Sequence, residues 1–137
     1  MVCVYCGNKT AVINSRLQKQ INNVWRRRQC TKCQAIFSTL EHMVYENTLV
    51  VQDRLSHIMP FQREVLFLSI YDACKHRPKA ISDASALTDT VLSKLQEHNE
   101  NNKGLLTRDV ISKTTADILK TFDNTAYVHY FAFHTPS

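Results

Sequence analysis

The sequence predicts an α+β protein, in which a small β module precedes a larger, mostly helical one that opens on a short strand pair. Three observations lead there. Four of the five cysteines fall in two close pairs, Cys3/Cys6 and Cys30/Cys33. The formal charge collects around those pairs. Apolar residues at helical spacing begin only near residue 61, and before that the pattern alternates as strands do.

Two C-x₂-C knuckles at this separation are the sequence form of a four-thiolate zinc ribbon, each knuckle giving two ligands to one tetrahedral ion. A redox pair needs one knuckle, and disulfides need an oxidising compartment. No apolar leader segment follows Met1 and no run is long enough to span a bilayer. The expectation is therefore a cytoplasmic protein with reduced thiols, one zinc per chain on Cys3, Cys6, Cys30 and Cys33, and no membrane partner. Gly7 follows the first knuckle, where a positive φ turns backbone N–H groups toward the sulfurs, and Gln34 takes that place after the second. Cys74 lies in an apolar helical stretch and reads as a small buried hydrophobe.

Residues 1–46 carry seven Lys/Arg against Glu41 and Glu46, a net of +5, whereas residues 47–137 balance ten basic with ten acidic side chains. The whole formal charge lies on the metal module. That divides the chain into a ribbon over 1–46 and a second domain over 47–137. A ribbon this small buries little core, so zinc supplies its folding free energy, about 10–16 kcal/mol apparent. Unneutralised arginines on so small a module point to a nucleic-acid contact.

Within the ribbon, Ala11–Arg16 and Asn23–Arg28 read as strands joined through Gln20–Asn23, and Ile36–Thr39 as a third. Alternation puts Arg26 and Arg28 on one face and Arg27 beside Trp25 on the other, with Arg16 joining either set according to register. Arg16, Arg26, Arg27 and Arg28 are the candidate DNA contacts, because a guanidinium grips phosphate or a guanine edge with two bonds. Trp25 is read as the packing residue in preference to a base-stacking platform, with Phe37 on the same small core.

In the second module Thr48–Gln52 reads as a strand, followed by a turn and Ile58–Phe61. A helix runs from about Phe61 to His76 through Val65, Leu66, Leu68, Ile70 and Cys74, stopping before Arg77-Pro78. Ser82 is taken as the N-cap of a second helix with Ala84, Leu87, Val91 and Leu95 in its stripe. A polar connector spans 99–104, and a third helix starts near Thr107 with Asp109 in its first turn. The aromatic segment 123–134 fits a strand or a fourth helix. No catalytic constellation stands out: the histidines at 42, 57, 76, 98, 129 and 134 are scattered, and His129 and His134 read as stacking residues before a metal pair.

The runs Cys3-x-x-Cys6-Gly7, Val12–Arg16, Arg26–Cys30-x-x-Cys33 and Phe37–Glu41 resemble the NrdR family, bacterial repressors of ribonucleotide reductase genes. Val50-Val51, Pro60-Phe61, Ala73–Pro78 and Asp123–Val128 follow in that family's order and spacing. The resemblance implies a DNA-reading zinc ribbon joined to an ATP-cone, a strand pair with a helical bundle that binds ATP or dATP. It also implies that the nucleotide sets the state of a homo-oligomer, and that the segment around Tyr127 is helical. The candidate nucleotide contacts are then Val51, Gln52, Arg54, Lys75 and Arg77.

The sequence departs from the family's pattern in the cone. Gln52–Ser56 replaces Lys-Arg-Asp-Gly with one extra residue, Met59 stands for a glutamate, and Val65 and His76 stand for lysines; no counterpart of the polar tail precedes Ser137. In the ribbon, Asn14 stands for an aspartate. A triphosphate carries about three to four negative charges, and each missing lysine removes a bond of about 1.5–3 kcal/mol. Losing two weakens binding roughly a hundredfold or more. The expectation is nucleotide sensing that is weakened, altered or absent, with self-association retained. Arg54, Arg77 or Lys75 would have to compensate in a nucleotide-switched repressor.

Overall fold

The computed structural model describes residues 1–99 and 103–134, so the middle of the expected polar connector (100–102) and the last three residues lie outside the described residues. The chain divides into two compact units, Met1–Met43 and Val44–Ser137.

The first unit is a three-stranded antiparallel sheet of β1 (Thr10–Gln18), β2 (Asn23–Cys30) and β3 (Ile36–Glu41), with β2 central. A 3₁₀ turn over Lys19–Ile21 and Asn22 in the left-handed region (φ 48°) reverse the chain between β1 and β2. Asparagine tolerates that region better than a branched residue does. The register shifts between Val12 and Asn14, which leaves Ile13 as a bulge. Only Cys3, Asn23 and Cys30 are buried in this unit among the described residues. Trp25 and Phe37 are half-buried, and the strand apolars Val12, Ile13, Leu17, Ile36 and Leu40 are exposed. Among its described residues the unit has no hydrophobic core of its own.

The second unit has a short sheet and four helices. Strand β4 (Val50–Gln52) lies between β5 (Ile58–Pro60), antiparallel to it, and β6 (Leu105–Thr107), parallel to it. The strand expected from Thr48 starts two residues later, because Thr48 and Leu49 donate their N–H groups to the Tyr45 carbonyl and close a turn. Asp53 shapes the β4–β5 loop: its carboxylate accepts from the N–H of Leu55 (2.8 Å) and His57 (2.9 Å). β6 was not expected. Gly104 brings it in, with φ +86° and its Cα so close to Thr48 that a Cβ would sit 2.8 Å from that carbonyl oxygen. The Val50 N–H then reaches the Gly104 carbonyl at 2.9 Å.

The helices are α1 (Arg63–Cys74), α2 (Ala80–Asn99), α3 (Arg108–Phe122) and α4 (Asn124–His134). Each packs against two neighbours, in the cycle α1, α2, α3, α4. α1 buries one stripe, Leu66, Ile70, Ala73 and Cys74, while Val65 and Leu68 are exposed. Cys74 is fully buried, as its apolar surroundings suggested. Ser82 is not an N-cap. α2 already starts at Ala80, where the Asp83 N–H bonds the Lys79 carbonyl at 2.9 Å. Thr107 caps α3 by accepting from the Val110 N–H (3.3 Å). The aromatic segment is helical, capped by Asp123, which accepts from the N–H groups of Thr125 (2.8 Å) and Ala126 (3.1 Å). In α4 His134 stacks on Tyr130 one helical turn away (4.4 Å, 26°), and the His129 ring meets Phe133 at 5.0 Å, tilted by 43°.

Candidate metal centre and nucleic-acid interface

The four ribbon cysteines converge, with all four sulfurs within 4.8 Å of one another. Cys3 Sγ lies 3.7 Å from Cys33 Sγ, and Cys6 Sγ lies 3.5 Å from Cys30 Sγ. A tetrahedral zinc with bonds of about 2.3 Å has sulfur–sulfur edges of about 3.8 Å, so the tetrad fits the ion. Gly7 (φ 71°) and Gln34 (φ 60°) both adopt the left-handed conformation expected of them. The backbone beyond each turns toward sulfur, Asn8 to Cys6 and Ala35 to Cys33. The N–H groups of Lys32 (3.3 Å) and Cys33 (3.4 Å) point at Cys30, and that of Tyr5 at Cys3 (3.4 Å).

These contacts set the thiol chemistry. The Asn8 backbone N–H, helped by the Asn8 side chain, lowers the Cys6 thiol to about 6. The Cys33 and Lys32 N–H groups lower Cys30. At Cys33 the Ala35 N–H also lowers the thiol, but Cys30, desolvation and the other sulfurs outweigh it and push it up to about 12. Four sulfurs this close ionise together only around a cation, which a divalent metal supplies. A metal held by all four thiolates would have no open coordination position, so its role there would be structural.

The sheet that the tetrad staples carries the arginines. The register sets Arg16 opposite Trp25 and Asn14 opposite Arg27, so Arg16 joins the Arg27 face. Its guanidinium lies 6.0 Å from the Trp25 ring centroid. On the other face Arg26 bonds Glu41 Oε2 (3.2 Å) and Ser15 Oγ (3.2 Å), and Arg28 bonds Thr39 Oγ1 (3.2 Å). The four candidate DNA contacts thus divide two and two across the sheet.

In the second unit a cavity of about 900 Å³ opens between the strands, α1, α3 and α4. Val51, Leu55, Met59, Phe61, Tyr130 and Phe133 contribute to its apolar wall. Its charged lining residues are Arg54 and Arg108 against Asp53 and Asp109, and Arg54 pairs with Asp109 at 3.8 Å.

A family model described as "Transcriptional repressor NrdR-like, N-terminal domain" matches residues 1–41. The chain is 34% identical to a "Transcriptional repressor NrdR" of Syntrophotalea carbinolica over 95% of its own length and 81% of that protein's. Proteins of the same name from Acetivibrio thermocellus (33% identical, 95% and 84% covered) and Streptococcus gordonii (32%, 95% and 81%) align over a similar span. The chain belongs to the NrdR family.

The five candidate nucleotide contacts differ in their placement around the cavity. Val51 and Arg54 line the cavity, whereas Gln52, Lys75 and Arg77 do not. Lys75 is paired with Asp72 at 2.5 Å. Arg77 bonds Asp83 and Asp123, each at 2.7 Å, and lies 4.5 Å over the Phe122 ring. It joins the start of α2 to the α3–α4 corner. The sequence reading missed Arg108, which reaches the cavity from the first turn of α3. The charged lining holds two basic and two acidic side chains.

Proposed function

We propose that the protein is a zinc-dependent transcriptional repressor that grips double-stranded DNA through arginines of its ribbon sheet. The observation that carries this reading is the cysteine tetrad closing a basic, core-less sheet: the metal holds a charged surface that nothing else would hold. The relatives' name supports repression, and the family resemblance supports ribonucleotide reductase genes as the targets. The second unit acts as the self-association module, in a cytoplasmic protein that works at the nucleoid.

A second reading, the nucleotide-switched repressor, rests on that resemblance and on the cavity's size. The charge balance of the lining weighs against it, so we place the cone-like unit as an assembly scaffold with little affinity for ATP or dATP. Two experiments test these statements. Zinc-loaded protein should enrich specific duplexes from a random-sequence pool, and its affinity should fall steeply with salt, with a log–log slope of about −0.9 per phosphate neutralised. Failure to retain any duplex at low salt would overturn the repressor reading. Calorimetric titration with ATP or dATP and magnesium should give no heat of binding, and micromolar affinity would restore the nucleotide switch.

A further inference from the structure

We infer that the DNA-facing surface of the ribbon is the sheet face carrying Asn14, Arg16, Arg27 and Ser38, and that Arg26 and Arg28 serve the opposite face as cross-strand ties. The inference deepens the repressor reading and rests on it. A thin sheet enters a groove by one face, as β-ribbon readers of DNA do. Side chains on the two faces of one strand point apart, so four arginines divided between both faces cannot share one groove.

What each face has left to offer decides between them. The row Asn14–Arg27–Ser38 runs straight across the three strands. All three side chains are exposed, and among the described residues none has a side-chain partner. Beside it, Arg16 is held over Trp25, which orients a guanidinium without consuming its donors. No acidic residue lies on this face. The other face is already committed. Arg26 spends Nε and Nη2 on Glu41 (3.3 and 3.2 Å) and Nη1 on Ser15. Arg28 gives Nε to Thr39, so both arginines tie β2 to its neighbours. Glu41 sets a negative charge on that side, where a phosphate would meet repulsion. Free donors and uncancelled charge are what a polyanion recruits: Arg16 and Arg27 offer two unpaired guanidinium charges on one face, whereas on the other Glu41 offsets Arg26 and leaves Arg28 alone.

The test uses the full zinc-loaded chain and a fluorescent duplex that the wild type itself has enriched from a random pool. Arg27→Ala should weaken binding about tenfold, and Arg16→Ala/Arg27→Ala should lower the salt slope by about two contacts' worth. Arg26→Ala/Glu41→Ala and Arg28→Ala should stay within about threefold once zinc content is matched. A footprint on the wild type avoids any question of variant folding: arginine labelling with phenylglyoxal, read by mass spectrometry, should show DNA shielding Arg16 and Arg27 and leaving Arg26 and Arg28 unchanged. Shielding of Arg26 and Arg28 alone, or an Arg27→Ala variant of wild-type affinity, would overturn the face assignment and leave the repressor reading standing. A wild type that enriches no duplex would overturn both.

Discussion

Removing the metal should unfold the first unit and leave the second intact. The tetrad joins Cys3 to Cys33 across thirty positions, and closing a loop of that length costs roughly 3–4 kcal/mol of chain entropy before any residue is ordered. Against this the ribbon buries only Cys3, Asn23 and Cys30 among its described residues, while Val12, Ile13, Leu17, Ile36 and Leu40 stay 43–58% exposed. Zinc binding, about 10–16 kcal/mol apparent, is the one contribution large enough to hold such a module folded. Hydrogen exchange read peptide by peptide, with and without a strong chelator, measures this directly. Amides of β1, β2 and β3 should lose protection when zinc leaves, and those of α1 to α4 should keep it. Ribbon amides that stay protected after complete zinc release would refute the reasoning.

Three further outcomes are expected. Asp123 holds its carboxyl well below the usual range, through Arg77 first and then the Ala126 N–H and His76. A lowered carboxyl stabilises the fold above its unfolded pKa of about 4 and loses that effect as pH falls toward the folded value. Asp123→Asn should therefore lower the melting temperature at pH 7 and flatten its decline below pH 4, as calorimetry would show; an unchanged acid profile would count against the Arg77–Asp123 link. Gly104→Ala should destabilise the second unit by about 2–4 kcal/mol, from the positive φ and the 2.8 Å approach to Thr48, measured by urea unfolding. A wild-type midpoint would mean that β6 does not need the glycine. Leu119→Ala, at a fully buried site between the helices, should cost about 2–5 kcal/mol by the same assay without changing zinc content. Zinc loss in that variant would show the two units to be coupled.

The metal centre was legible because ligation demands particular atoms at particular spacings, and only Cys3, Cys6, Cys30 and Cys33 supply them. The strands of the ribbon were legible from alternation, but the register was not. The bulge at Ile13 decides which side Arg16 occupies, and a bulge leaves no fixed residue signature. β6 was hidden for a different reason: three residues carry no period, and their partner lies far back in the chain. The aromatic segment stayed ambiguous because it is apolar on every side and buries only Ala126 and Tyr130. Asp123 ahead of Thr125 and Ala126 was the helix signal available there. Arg77 looked free for phosphate because its acids, Asp83 and Asp123, are close only after folding.

The parallel pairing of β4 with β6 gives the second unit an order of assembly. Val50 meets Leu105 only after the intervening α1 and α2 have doubled back, so this junction closes a long loop in the unit. Long loops close late, once local helices have formed. Pulse-labelled exchange during refolding should find Val51 and Leu106 protected after the α1–α2 hairpin, and earlier protection would contradict this order. One wall of the cavity, to which Val51 belongs, is then completed only when a three-residue strand docks from far along the chain.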